Sequence, residues 1–214
     1  MVEKMKYKNY LFDLDGTLTD PGLGIKNSIR YALGKAGLPS LEEATLDLFI
    51  GPPLLDSFQK YCGATPDEAK ELLRLYREYF SVTGLFENEV YRGVPELLED
   101  LCRRGAKVFL ATSKPEPFAH KILEHFDLMR YFTFAGGSTM DETRTAKAEV
   151  IDYVLKSANI KAEESVMVGD RKYDIEGGEK CGLDTVGVTF GYGTESEFAD
   201  ADYIINSPEE LLNI

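Results

Sequence analysis

From Tyr91 onward, short apolar runs alternate with amphipathic helical stretches, and this alternation narrows the possible folds more than any other feature of the chain. Lys107-Val108-Phe109-Leu110-Ala111, Tyr131 to Phe134, Ser165-Val166-Met167-Val168, Thr185 to Val188 and a weaker Tyr203 to Ile205 read as strands. Between and around them, Pro95 to Arg104, Pro115 to Phe126, Thr145 to Ala158 and Ile175 to Cys181 read as helices, with a short last one at Pro208 to Leu212. A parallel neighbour can be reached only by a crossover, so strands separated by helices imply a parallel sheet covered on both faces. Tyr10 to Phe12 is one more apolar run and belongs to the same sheet. The expected class is α/β, a doubly wound parallel sheet.

Between that first strand and Tyr91 the pattern is different. Ile25, Ile29, Leu33 and Ala36 recur at helical spacing up to Gly37, and Leu41 to Phe49, Leu54 to Cys62 and Pro66 to Val82 follow as three more helices. Four helices with no strand pack as a layer of their own, so we expect an inserted helical bundle. The boundaries are 1–19 and 89–214 for the α/β core and 20–88 for the insert. Asp20-Pro21-Gly22 and Asn88 to Gly93 carry the turn residues of two hinges, or of ordinary loops. Tyr31, Phe49 and Phe58 could stack on a base, but at helical spacing they read rather as bundle core. The stiff Ile50-Gly51-Pro52-Pro53 loop reads either as a helix-helix turn or as a reader of a substrate's leaving group.

Charge and cysteine usage exclude several classes of function. A net charge of −13 over 214 residues argues against binding a nucleic-acid polymer or an anionic membrane. No stretch has the apolar length of a membrane span, and the basic start Met1 to Lys8 is not followed by a signal-peptide core. Cys62, Cys102 and Cys181 are widely spaced, which fits a reducing, cytoplasmic setting, and each reads as a buried apolar filler. A monomer or weak homodimer is expected.

Polar groups recur where the strands stop. Asp13-Leu14-Asp15-Gly16-Thr17 follows the first strand, Thr112-Ser113-Lys114 the second, and Gly169-Asp170 the run Val166 to Val168. Ligands of an open parallel sheet bind beyond the carboxyl ends of its strands, so these groups converge on one crevice. In extended chain, residues two apart face the same side, which lets Asp13 and Asp15 share a pocket while Leu14 packs inward. Asp-Gly is also a common turn, and Asp-x-Asp-Gly can begin a calcium loop, but that needs further oxygen ligands and a later Glu at a spacing that Leu18-Thr19-Asp20-Pro21 does not supply. Lys147, on the helix before Gly169-Asp170, can reach the crevice. Asp174 stands four residues after Asp170, either as a helix cap or as part of an acid cluster. Carboxylates gathered without thiolate or imidazole select a hard ion, Mg²⁺ before Zn²⁺.

These residues resemble the four motifs of the haloacid dehalogenase superfamily: Asp13-x-Asp15-Gly16-Thr17, Thr112, Lys147, and Gly169-Asp170 with Asp174. The insert looks like the helical C1 cap of its phosphoglycolate phosphatase and 5′-nucleotidase branch. The resemblance implies a Rossmann-like core and a Mg²⁺-dependent phosphatase acting on a small phosphorylated metabolite, a nucleoside 5′-monophosphate or phosphoglycolate. It assigns Asp13 as nucleophile and Asp15 as proton carrier, with Gly16, Thr112, Ser113 and Lys147 on the substrate phosphate. It further implies Asp13, Asp15 (through its backbone carbonyl) and Asp170 on the metal, and Asp174 orienting that shell. Two alternatives stay open: a phosphomutase of the β-phosphoglucomutase type, and a non-catalytic binder of phosphorylated ligands. A mutase of that type is expected to carry a cap histidine, yet His120 and His125 both lie on a core helix.

Overall fold

The structure, a computed structural model, describes residues 5–214; Met1 to Lys4 of the basic start lie outside the described residues. In chain order its strands and α-helices are β1 (Asn9–Phe12), β2 (Thr19–Asp20), α1 (Gly22–Lys35), α2 (Glu43–Asp47), α3 (Leu54–Cys62), α4 (Pro66–Tyr79), β3 (Glu89–Val90), α5 (Val94–Arg103), β4 (Lys107–Pro115), α6 (Glu116–His125), β5 (Phe132–Ser138), α7 (Lys147–Ala158), β6 (Ser165–Gly169), α8 (Lys172–Lys180), β7 (Asp184–Val188) and β8 (Tyr203–Ile205). The chain forms two compact units, Met1–Thr19 with Val90–Ile214, and Asp20–Glu89.

The first unit is built on a six-stranded sheet of order β5-β4-β1-β6-β7-β8, with every pairing parallel. Each residue of β1 and β6 is buried, which is why these strands read as unbroken apolar runs rather than as alternating ones. Leu11, Phe109 and Met167 meet Val150, Ile151 and Val154 of α7 in one core cluster. The chain runs to one side of β1 with β4 and β5, then to the other with β6, β7 and β8. The order therefore reverses at β1, and the gap beyond its carboxyl end is the switch point where an open α/β sheet binds ligands.

β4 and β5 run further than their apolar residues suggest, to Pro115 and Ser138. Beyond the apolar layer their carboxyl ends turn polar without leaving the sheet, and the glycines of β5 make this possible. A Cβ on Gly136 would lie 2.6 Å from Val154 Cγ2, and one on Gly137 2.6 Å from the Lys114 carbonyl oxygen. α8 starts three residues before the expected Ile175, because Asp174 Oδ2 accepts the Arg171 N–H at 3.0 Å and closes its first turn. α7 starts two residues late, since Glu149 takes the backbone N–H groups of Thr145 and Ala146, at 3.1 and 3.2 Å, just ahead of it. The cysteines depart from their reading as buried fillers: Cys62 and Cys181 are half-buried and Cys102 is exposed, beside rather than within the Leu97, Leu98, Leu101 stripe of α5.

In the second unit, Thr65 and Glu68 form a capping box that opens α4 behind Pro66. The helix ends at Tyr79, and Phe80–Gly84 makes one wider π-turn. α2 is shorter than expected because Phe49 and Ile50 leave the helix to be buried, Phe49 packing on Phe58 and Tyr61 with both ring pairs 5.4 Å apart. α1 lies backbone to backbone against the π-turn, and a Cβ on Gly24 would sit 1.9 Å from the Gly84 carbonyl oxygen. Gly24→Ala is therefore expected to lower the thermal midpoint by several degrees, from about 1–3 kcal/mol of overpacking. Thermal melts followed by circular dichroism check this, and an unchanged midpoint would show that the contact is not tight.

Candidate active site

Asp13 follows β1 directly, and its N–H donates to the Val168 carbonyl at 2.9 Å, so it is tied to β6 as well as β1. The chain then turns sharply: the Leu14 carbonyl accepts the N–H groups of Leu18 and Thr19 at 2.9 and 3.0 Å, and Gly16 takes φ +86°. The N–H of Gly16 donates to the Thr19 carbonyl at 2.8 Å. Gly16 thus serves the turn, and its N–H is not available to hold a phosphate oxygen as the sequence suggests. Its lack of a side chain matters for a second reason, since a Cβ there would lie 2.1 Å from Asp170 Oδ2.

Two buried lysines divide the two aspartates. Lys147 Nζ forms ion pairs with Asp13 Oδ1 at 2.9 Å and Asp174 Oδ1 at 2.8 Å and donates a hydrogen bond to the Ala111 carbonyl at 3.1 Å. Lys114 Nζ lies 2.8 Å from Asp15 Oδ2. The other oxygen of that carboxylate, Oδ1, is buried without a hydrogen-bond partner. Thr112 is buried, and its Oγ1 accepts the Lys114 N–H at 3.2 Å. Ser113, between them, is half-buried on the opposite side of the extended strand and makes no side-chain hydrogen bond.

Asp170 leaves β6 at the same end. Its Oδ2 accepts the Tyr192 N–H at 2.8 Å, and Thr17 Oγ1 lies 3.4 Å from its Oδ1. A loop after β7 closes around it: a Cβ on Gly191 would be 2.3 Å from Asp170 Cβ, and one on Gly193 1.9 Å from its carbonyl oxygen. Asp174 packs onto Gly169 just as closely, at 2.1 Å from a Cβ there. One carboxylate oxygen from each of Asp13, Asp170 and Asp174 lies within 4.8 Å of the others. The carboxylate of Asp15 is not in that group.

Four carboxylates and two ammoniums leave an excess of two negative charges in a largely buried space. Burial pushes the Asp15 carboxyl above the ordinary range against the pull of Lys114. Burial, then the charges of Asp174 and Asp13, drive Asp170 well above it. Asp174 is pushed by burial up to about 6, with Lys147 opposing. For Lys147 burial disfavours the charge, but Asp13 and Asp174 outweigh it and hold its pKa above that of an ordinary lysine. Oxygen-only donors, a twofold negative excess, and the buried Oδ1 atoms of Asp13 and Asp174, which accept no hydrogen bond, fit one hard divalent cation.

Lys114, which the sequence places at the crevice without a partner, and the 191–193 loop, which it does not single out, both take part in this arrangement. Strand alternation flags Lys114 once Thr112 is placed, and a Gly-x-Gly beginning three residues past a strand end flags the loop. A model of the family described as haloacid dehalogenase-like hydrolase matches residues 10–188. The chain belongs to that family. As a haloacid dehalogenase-like hydrolase it is 47% identical over 193 residues to a Pseudomonas aeruginosa protein named 5′-nucleotidase, covering 90% of this chain and 87% of that one. A Mycobacterium tuberculosis relative named tyrosine-protein kinase PtkA is 37% identical over 190 residues, which is 89% of this chain and 64% of that protein. Among solved structures, a predicted phosphatase from Clostridium acetobutylicum matches with a TM-score of 0.93 at 43% identity and 98% coverage of both chains. The hydrolase family and the α/β sheet agree with what the motifs imply.

Proposed function

We propose that this hydrolase is a divalent-metal-dependent phosphatase of small phosphate monoesters, a nucleoside 5′-monophosphate first among them, working through a phosphorylated Asp13. The observation that carries the reading is the pairing at the switch point: Asp13 fixed by Lys147 beside Asp170 and Asp174, with Asp15 two residues on and fixed separately by Lys114. The name of the Pseudomonas aeruginosa relative supports the substrate class.

A carboxylate oxygen of Asp13 attacks phosphorus, the bond from phosphorus to the substrate's ester oxygen breaks, and Asp15 gives that oxygen its proton. Water then attacks the phosphoryl group on Asp13, Asp15 takes the proton from it, and inorganic phosphate leaves with Asp13 regenerated. The raised pKa of Asp15 suits a group that must hold a proton before the first step and accept one in the second. Thr112 Oγ1, Lys147 Nζ and the N–H groups of Leu14 and Asp15, which none of the turn's hydrogen bonds engages, would hold the phosphate oxygens. Asp13, Asp170 and the Asp15 carbonyl would hold Mg²⁺, with Asp174 orienting them; when bound, the ion would supply charge neutralisation between nucleophile and phosphate.

The test is release of inorganic phosphate from nucleoside 5′-monophosphates, phosphoglycolate, sugar phosphates and p-nitrophenyl phosphate. Release should require Mg²⁺, stop with a chelator and return when Mg²⁺ is restored. No release from any of them, with phosphate analogues still bound, would leave a binding protein instead. Transfer of the phosphoryl group to tyrosine without phosphate release would favour the activity named for the Mycobacterium tuberculosis relative.

The cation also has a signature in stability. Asp170→Asn keeps an oxygen for the Tyr192 N–H and removes one of three buried carboxylates. Without divalent cation the variant is expected to melt roughly 3–8 °C above the parent, because a buried repulsive charge is gone. Mg²⁺ should raise the midpoint of the parent and leave the variant's nearly unchanged. Equal Mg²⁺ responses in differential scanning calorimetry would place the ion elsewhere.

A further inference from the structure

We propose that Lys114 is the positioning residue for Asp15, holding its carboxylate by one oxygen so that the other faces the substrate's leaving group. This rests on the phosphatase reading above and assigns within it a residue that neither the motifs nor the family match singles out.

Three observations carry it. Lys114 Nζ lies 2.8 Å from Asp15 Oδ2, and the two side chains are only 5% and 15% exposed, so the pair is largely screened from water. Asp15 Oδ1 is enclosed and accepts no hydrogen bond, so of the two carboxylate oxygens it is the one with no partner in the protein. The backbone of Lys114 is itself fixed: its N–H donates to Thr112 Oγ1 at 3.2 Å, and its carbonyl lies against Gly137 so closely that a Cβ there would stand 2.6 Å away.

The arrangement separates two tasks that neighbouring aspartates could otherwise confuse. Lys147 forms its ion pair with Asp13, and Lys114 forms one with Asp15. A carboxylate held at one oxygen by a buried cation loses rotation about its last bond, and the free oxygen keeps one direction. Proton transfer depends steeply on that geometry. Without Lys114 the Asp15 carboxyl remains but turns freely, and the proton reaches the departing ester oxygen less often as its bond to phosphorus breaks.

The consequence is a dependence on the leaving group. An alkoxide, such as the ribose 5′-oxygen of a nucleotide, needs the proton in order to leave, whereas p-nitrophenolate leaves without it. The quantity to measure is kcat/KM in Mg²⁺, which reports steps only through departure of the leaving group, so later hydrolysis of phosphorylated Asp13 does not enter. In Lys114→Met the ratio of kcat/KM for the best alkyl phosphate to that for p-nitrophenyl phosphate is expected to fall by roughly 10²-fold, the lower range of general-acid contributions. Asp15→Asn should lower the same ratio at least as far, and Lys114→Arg should recover part of it by restoring a cation. Equal losses for both substrates would mean that Lys114 acts on the phosphate or on the fold, and would overturn the proposal. An unchanged ratio would do the same. If Lys114→Met is not folded by circular dichroism, Lys114→Gln, which can still donate to Asp15, is expected to show a smaller drop in the ratio than Asp15→Asn, and an equal loss for both substrates again sinks the idea. A parent enzyme that releases phosphate from no substrate would defeat the phosphatase reading itself, a result distinct from any change in ratio.

Discussion

Asp13→Asn is expected to reduce phosphate release from every substrate by roughly 10⁴-fold or more while leaving the protein folded. The amide carries no charge and is a poor nucleophile, so the proposed attack on phosphorus loses its nucleophile. The fold should tolerate the exchange: an amide oxygen can still face Lys147 Nζ, now 2.9 Å from Asp13 Oδ1, and the site sheds one of its unbalanced negative charges. Rate loss should therefore come with a metal-free melting midpoint no lower than that of the parent. Brief incubation with radiolabelled substrate followed by acid quench should label the parent at residue 13 and leave the variant unlabelled. Residual activity within tenfold of the parent would mean that water attacks phosphorus directly, and label at any other residue would move the nucleophile.

Lys147→Ala should produce the largest loss of stability of any single change in the site. Its ammonium meets Asp13, Asp174 and the Ala111 carbonyl at 2.9, 2.8 and 3.1 Å in a space that admits almost no water. Removing one partner from a buried ion pair costs about 3–5 kcal/mol, because the charges left behind keep their desolvation penalty. For a chain of this size that is roughly 10 °C in thermal midpoint. The stem of the side chain contributes too, since α8 approaches it at Gly177, where a Cβ would lie 2.8 Å from Lys147 Cγ. Lys147→Met keeps most of that volume, so comparing the two separates packing from charge. Adding Asp174→Asn to Lys147→Met should return part of the stability, since only one stranded carboxylate then remains of the two that faced the ammonium. A loss under 2 °C in metal-free buffer would show that the ammonium does not hold the site together.

The sheet is legible in the sequence because its central strands are apolar on both faces, and the insert is legible because helical spacing persists there without a strand. What the periodicity does not reveal is where β4 and β5 stop. Their last residues are polar or glycine and resemble loop, but they stay in the sheet because α7 and the start of α6 press against Gly136 and Gly137. The convergence of Asp13, Thr112 and Asp170 can be read from strand ends alone. Lys147 is harder, as a lone lysine on a helix, and only the two carboxylates it meets distinguish it from a surface residue. The hold on Asp170 leaves the least trace, because it comes from the backbone N–H of Tyr192 and from the bare Cα atoms of Gly16, Gly191 and Gly193, none of which has a characteristic side chain. Gly16 shows the reverse error: a residue that looks suited to cradle phosphate spends its N–H on Thr19.

The place of β1 between β4 and β6 bears on how the chain is made. The strand at the middle of the sheet is synthesised first, yet its neighbours, beginning at Lys107 and Ser165, leave the ribosome only after the whole of Asp20–Glu89 has emerged. A contiguous helical unit can condense on its own during that interval, whereas β1 has to remain unpaired and apolar in the meantime. Nascent chains halted once Glu89 has left the ribosomal tunnel but Lys107 has not should accordingly show helix protected from protease while Asn9 to Phe12 stays open to chaperones, so that the first-made strand of the sheet waits longest for its partners.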